Sequence, residues 1–382
     1  MYRRNVAFAR FCGFFSALVF LGCSGSNEKV IKIGFVAPLT SDQAAQGLHM
    51  LHGAELAVEQ ANAAGPVVPG YQIELVPLDD QHNPTQAVSA AKKLVSDPDV
   101  VAVVGHLNSS CTKPAGAIYY QARMLQVTPI STNPEISRQG FDTFYRACAT
   151  DDLQGRAGAK FAFQTLGLRK AYVIDDMTTY GRGLANEFKR AFNSLGGEVV
   201  SHEGISQGEK DFTPLLTKVK AIRPDLVYYA GMFPEGSLMI KQRYELGIQS
   251  KFIGGDGLLE TILIQLATPQ AAEGIYVSSI TVDPYRLPSA QEFVRTYEAR
   301  YGQIGAYTAY SYEATNIVLW AIRKAAKKDR QAVLASMKQL KDYSGILGVT
   351  NFDQKGDSLN RTISIFQVKN GKFEFVTSMP VE

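Results

Sequence analysis

An α/β fold of two doubly wound lobes is predicted by three features of the sequence. Short apolar runs end in Gly or in a hydroxyl-rich loop, and each is followed by apolar residues at helical spacing. This strand–turn–helix unit repeats as far as Cys148 and then restarts. The chain has 382 residues, 46% of them hydrophobic, which is enough for two cores but too much for one small sheet.

In order, Val30–Ala37 reads as a buried strand, and Gly53–Ala61 carries apolar residues at helical spacing before the stop at Ala64-Gly65-Pro66. Tyr71–Asp80 is the next strand. Asn83 suits an N-cap because Pro84 follows it at the first helical position, where no N–H is needed. Strands at Val100–Val104 and Leu125–Pro129 complete the first set. The second set places strands at Ala171–Ile174, Glu198–Val200, Asp225–Tyr229 and Phe252–Gly254, with helices at Gly183–Leu195, Phe212–Ile222 and Glu235–Gly247 between them. Beyond the strand Ile275–Ser278 come helical patterns at Ala290–Tyr301, Tyr310–Ala326 and Arg330–Leu340. The stretch Gly345–Phe352, a turn at Asp353–Asp357, and the alternating run Thr362–Val368 with an Asn370-Gly371 hairpin to Phe373–Val376 close the chain.

The first 22 residues differ from the rest. Arg3, Arg4 and Arg10 precede an apolar run from Phe11 to Gly22 that is short for a membrane span, the pattern of a signal peptide. Phe20-Leu21-Gly22-Cys23 resembles a bacterial lipobox, which implies lipidation of Cys23 and a polar tether over 23–29. Removing residues 1–22 removes three Arg and no acid, so the formal charge of +3 becomes 0. No basic stripe then remains to argue for nucleic acid. Cys111 and Cys148 either pair in an oxidising compartment or serve as buried small hydrophobes.

Two stretches carry the chemistry. Val103-Val104-Gly105-His106-Leu107-Asn108-Ser109-Ser110 runs from a strand into a helix N-terminus, where free N–H groups and hydroxyls suit an anion. Thr128-Pro129-Ile130-Ser131-Thr132 ends the neighbouring strand with hydroxyls and a carbonyl. An anion acceptor beside carbonyl and hydroxyl acceptors suits an α-amino acid. Ser109 and Ser110 equally suit helix capping.

The blocks D-D-Q-H-N-P-T-Q-A-V at Asp79, G-H-L-N-S-S-C-T-K-P-A at Gly105, T-P-I-S-T-N-P-E at Thr128, Y-G-R-G-L-A at Tyr180, G-E-K-D-F at Gly208, V-Y-Y-A-G at Val227 and F-D-Q-K-G-D at Phe352 resemble the periplasmic leucine/isoleucine/valine-binding protein family, a type I periplasmic binding fold. The resemblance implies a Venus flytrap whose chain crosses between lobes three times. It places lobe 1 at 30–148 plus 279–347 and lobe 2 at 149–278 plus 348–382. It implies that Ser109 and Thr132 hold a carboxylate, that the Ile130 carbonyl, Thr132 and Asp256 hold an ammonium, and that Tyr180 closes over the ligand. Where relatives carry tyrosines, this chain has Gln46 and Met232, which makes both ligand-side-chain contacts of altered character. Ser110 and Ser131 are further candidates. His82 and Asn108 stand where the family has a cysteine pair.

The expected function is an extracytoplasmic solute-binding subunit of an ABC importer, without cofactor or metal, monomeric, tethered to the membrane through Cys23, and delivering an amino acid to a permease. An amino-acid or amide sensor is the alternative. A serine hydrolase built from Ser109 or Ser110 with His106 is more remote, because no G-x-S-x-G elbow surrounds either serine. His49 and His52 lack the further ligands that a metal site needs, and Gly181–Asn186 lacks the third glycine of a dinucleotide loop.

Overall fold

The computed structural model describes residues 29–380; the signal peptide and Cys23 lie outside the described residues. The first layer is built from β1 (Lys29–Ala37), α1 (Ala44–Ala63), β2 (Tyr71–Asp79), α2 (Pro84–Ser96), β3 (Val100–Gly105), α3 (Ser109–Gln121), β4 (Leu125–Thr128) and β5 (Phe144–Arg146). Its strands form a wholly parallel sheet in the order β2-β1-β3-β4-β5. The second layer follows with α4 (Asp151–Lys160), β6 (Lys170–Asp175), α5 (Thr179–Ser194), β7 (Glu198–Gly204), α6 (Thr213–Ile222), β8 (Leu226–Ala230), α7 (Phe233–Glu245), β9 (Lys251–Gly254), α8 (Ile262–Ala267), α9 (Pro269–Ala272) and β10 (Tyr276–Ser279).

The chain then returns to the first layer through α10 (Gln291–Tyr301), α11 (Thr308–Ala325) and α12 (Arg330–Met337). A two-stranded hairpin follows, β11 (Tyr343–Gly345) and β12 (Gly348–Thr350). Finally β13 (Thr362–Lys369) and β14 (Lys372–Pro380) join the second sheet, whose order is β14-β13-β10-β9-β8-β6-β7 with only β13 and β14 antiparallel to their neighbours. Three connections therefore join two doubly wound α/β lobes.

Strand alternation sets what each face buries. In β1, Ile31, Ile33 and Phe35 join the core with Met50 and Ala54 of α1 and Ile317 of α11. Val36 faces the other way, onto Ala91 and Leu94 of α2. Gly34 leaves room for that packing, since a Cβ there would lie 2.6 Å from a Leu94 methyl. The second sheet is covered likewise: Leu184 and Phe188 of α5 pack with Val173 and Tyr228, while Leu216 and Met239 pack with Tyr172 and Tyr229 across the sheet. Each such side chain, fully buried, contributes about 1.5–3 kcal/mol.

Local signals and structure agree at Asn83, whose side chain accepts from the N–H groups of Thr85 and Gln86. They agree again at Asn370-Gly371, where both residues have positive φ in a tight hairpin. The stretch Gly345–Phe352 contributes to the β11–β12 hairpin, whose turn is Ile346-Leu347 between the paired Gly345 and Gly348. Cys111 and Cys148 are buried and unpaired.

Candidate functional site

In open parallel sheets the crevice at the strands' carboxyl ends is where loops from several strands converge. Here β3 delivers Leu107, Asn108 and Ser109, and β4 delivers Ile130 and Thr132. From the second sheet, β6, β8 and β9 deliver Tyr180, Met232 and Asp256. These residues, with Gly257 and Tyr307, line one small cavity of about 20 Å³ between the two layers. Ser109, Ile130, Thr132, Tyr180, Met232 and Asp256 are thus brought together.

Asp256 is the best-held group. Its Oδ1 accepts from the Tyr180 hydroxyl at 2.9 Å and its Oδ2 from the Tyr307 hydroxyl at 3.0 Å. Tyr180 in turn accepts from the Gly257 N–H at 3.2 Å. Burial raises the Asp256 carboxyl above the usual range, and the hydroxyl bonds partly offset this. On the opposite wall, Ser109 begins α3, but its hydroxyl does not cap that helix. It accepts from the Asn133 N–H at 3.3 Å, which ties the β3 loop to the β4 loop.

Arg146 shapes the second of these loops from beneath. Its guanidinium is fully buried and donates to the carbonyls of Ser131 at 2.8 Å and Asn133 at 2.9 Å. It also pairs with Asp357 at 2.6 Å, on the connection between β12 and β13.

Other candidates lie elsewhere. Gln46 does not line the cavity; its side chain is buried in the first turn of α1, with neither amide atom hydrogen-bonded. The Ser131 hydroxyl bonds the carbonyls of His106 and Leu107, so it braces the wall from behind. Ser110 is half-buried and outside the lining. His106 cannot serve a serine nucleophile, because Nδ1 lies 2.7 Å from Asp80 and Nε2 lies 3.2 Å from the Tyr119 hydroxyl. His52 stacks on Tyr301, and among the described residues no group of His, Cys, Asp and Glu is arranged to hold a metal.

Sequence reading missed two residues. Tyr307 precedes α11 and reaches Asp256 from the other layer. Asp151 opens α4 and is wholly buried, with no close hydrogen-bond partner on either carboxyl oxygen. Its backbone N–H donates to the Thr132 carbonyl at 3.0 Å, which fixes it behind the β4 loop. Burial pushes its carboxyl well up, and the charge of nearby Asp256 adds to the rise. An acid in the first turn of a helix ordinarily answers the helix dipole; its total burial distinguishes this one.

The layers also meet around the cavity. The Asn133 side-chain amide donates to the Thr179 carbonyl at 2.6 Å. Gly183 permits that approach, since a Cβ there would sit 2.2 Å from the same amide nitrogen. The His82 ring lies 3.1 Å from the Gln207 amide, and His49 lies 3.9 Å from Glu260.

The family model described as "Periplasmic binding protein" matches residues 30–372. A Leu/Ile/Val-binding protein homologue of Brucella suis is 35% identical over 342 residues, covering 90% of this chain and 91% of the relative. The crystal structure of a leucine-binding protein from Thermotoga maritima superposes with a TM-score of 0.85 at 30% identity, covering 91% of this chain and 98% of that one. A branched-chain amino acid transporter substrate-binding protein of Streptococcus pneumoniae, in complex with isoleucine, does so with 0.85 at 29% identity, covering 92% and 99%. The chain belongs to the periplasmic binding protein family, with the type I architecture of two α/β lobes joined by three crossovers.

Proposed function

We propose that this chain is the solute-binding subunit of an ABC importer, and that it captures an amino acid, branched-chain or related, between its lobes for delivery to a permease. The family is one of extracytoplasmic substrate-binding proteins, not of enzymes. The observation that carries the reading is the buried Asp256 carboxyl at an interlobe cavity that no Lys or Arg lines, with a second buried carboxyl, Asp151, behind the β4 loop. A buried carboxylate is costly without a cation, and an α-ammonium supplies one.

In this reading the ligand carboxylate lies against Ser109 and Thr132 at the α3 N-terminus. Its ammonium lies between the Ile130 carbonyl, Thr132 and Asp256, with Asp151 behind the β4 loop, and Tyr180 and Met232 close over it. The relatives named for leucine, isoleucine and valine support an amino acid as ligand. The lobes are taken as 30–148 plus 279–347 and 149–278 plus 348–382, divisions supported by which sheet each strand joins. Ligand affinity then reports the free-energy difference between open and closed forms.

The proposal extends to export by residues 1–22, a lipid on Cys23 and a monomeric state. Mass spectrometry of the N-terminal peptide from a membrane fraction tests the lipid. Thermal unfolding of the purified protein against the proteinogenic amino acids tests the ligand class, since binding to the folded state raises Tm. A rise with at least one is expected; no rise with any contradicts the reading.

A further inference from the structure

The cavity has a second polar wall, away from the two carboxyls. Asn108 lines the cavity and is only 6% exposed, yet its side-chain carbonyl has no hydrogen-bond partner. Its orientation is set from behind, where its amide nitrogen donates to the Gln43 carbonyl at 2.9 Å. Gln43 in turn bonds His82, and His82 meets Gln207 of the other lobe. This chain of bonds fixes the Asn108 amide in the cavity wall.

Gln46 stands three residues beyond Gln43, on the same face of the first turn of α1. It is 1% exposed and both of its amide atoms are unpaired. Buried amides without partners are costly. Gln46 lies outside the cavity lining, but an apolar ligand side chain would leave the Asn108 oxygen without a donor, whereas a polar one supplies it.

Resting on the amino-acid reading above, we infer that the ligand is an amino acid with a short uncharged polar side chain, an amide or a hydroxyl, whose donor meets Asn108 and whose stem packs on Leu107 and Met232. Apart from Asp256, the cavity lining holds no charged side chain to pair with a charged one.

Isosteric pairs test this directly. The protein is purified after expression of the full-length chain, freed of resident ligand by unfolding and refolding, and titrated calorimetrically with L-asparagine against L-leucine and L-threonine against L-valine. The expected result is that the polar member of at least one pair binds about tenfold or more tighter. Leucine and valine binding as tightly as their polar counterparts, or tighter, overturns the inference and leaves the amino-acid reading standing. Binding of no amino acid overturns both. Asn108→Leu should bring the preferred pair's ratio below about threefold; a purely structural role would weaken both members alike and leave the ratio unchanged. If that variant does not fold, the wild-type ratios alone decide.

Discussion

The Tyr307 hydroxyl donates to Asp256 Oδ2 at 3.0 Å, so a residue leading into a first-lobe helix holds the principal acid of the second lobe. The same hydroxyl lies 2.9 Å from the Asp256 backbone carbonyl. Asp256 is therefore positioned from both sides of the cleft, by Tyr180 within its own lobe and by Tyr307 across it. The bond to Tyr307 can form only when the lobes are together.

Tyr307→Phe should accordingly weaken ligand binding by about 1 kcal/mol, roughly fivefold. The loss should appear mainly as faster dissociation, because the hydroxyl stabilises the closed form. Stopped-flow displacement measures the rate. An unchanged dissociation rate would remove Tyr307 from closure.

Asp256→Asn keeps the shape and one of the two acceptor oxygens, turns an amide NH2 toward the other tyrosine, and removes the charge. Amino-acid affinity should fall by roughly 2 kcal/mol, about thirtyfold. Calorimetric titration reads this, and an undiminished affinity would show that the ammonium sits elsewhere.

The pH dependence of stability and of affinity should have opposite signs. Burial raises the Asp151 and Asp256 carboxyls in the folded, ligand-free protein. In the window above the ordinary carboxylate range the folded state therefore binds more protons than the unfolded one, and these two groups cost stability as pH rises. Ligand binding should strengthen over the same rise, because a cationic ammonium prefers the ionised carboxyls. Asp176 and Glu313, each pushed up to about 7 by burial, add to the stability slope but not to the ligand slope. Asp151→Asn should flatten both slopes, as measured by Tm and Kd across a pH series.

Asp357→Asn should destabilise the fold by roughly 3 kcal/mol, because it leaves the fully buried Arg146 without its counter-charge. Arg146 also holds the Ser131 and Asn133 carbonyls, so ligand affinity should fall with stability. Denaturant unfolding and titration check the two effects separately.

The fold was legible where short-range signals decide it. Alternation in β1, the Asn83-Pro84 start of α2 and the Asn370-Gly371 hairpin depend on neighbouring residues alone. The loop residues at strand ends were legible for a related reason, since a parallel sheet brings its carboxyl ends to one edge. Asp151 and Tyr307 were not. Asp151 is 105 positions from Asp256 by subtraction of their numbers, and only the folded chain shows that their charges meet. Tyr307 sits in a short loop between helices, and its role depends on an acid across the cleft. Gln46 followed from the family resemblance, which implies a ligand contact there, whereas its side chain is buried in α1 outside the cavity lining.

The central claim is that the buried Asp256 carboxyl, with Asp151 behind the β4 loop, awaits an α-ammonium. The most direct test titrates the purified protein with its preferred L-amino acid and with the corresponding α-hydroxy acid, which keeps the carboxylate and side chain but lacks the ammonium. The account predicts that the hydroxy acid binds at least about thirtyfold more weakly, and that Asp256→Asn narrows the gap. Equal affinity for the two compounds would contradict it.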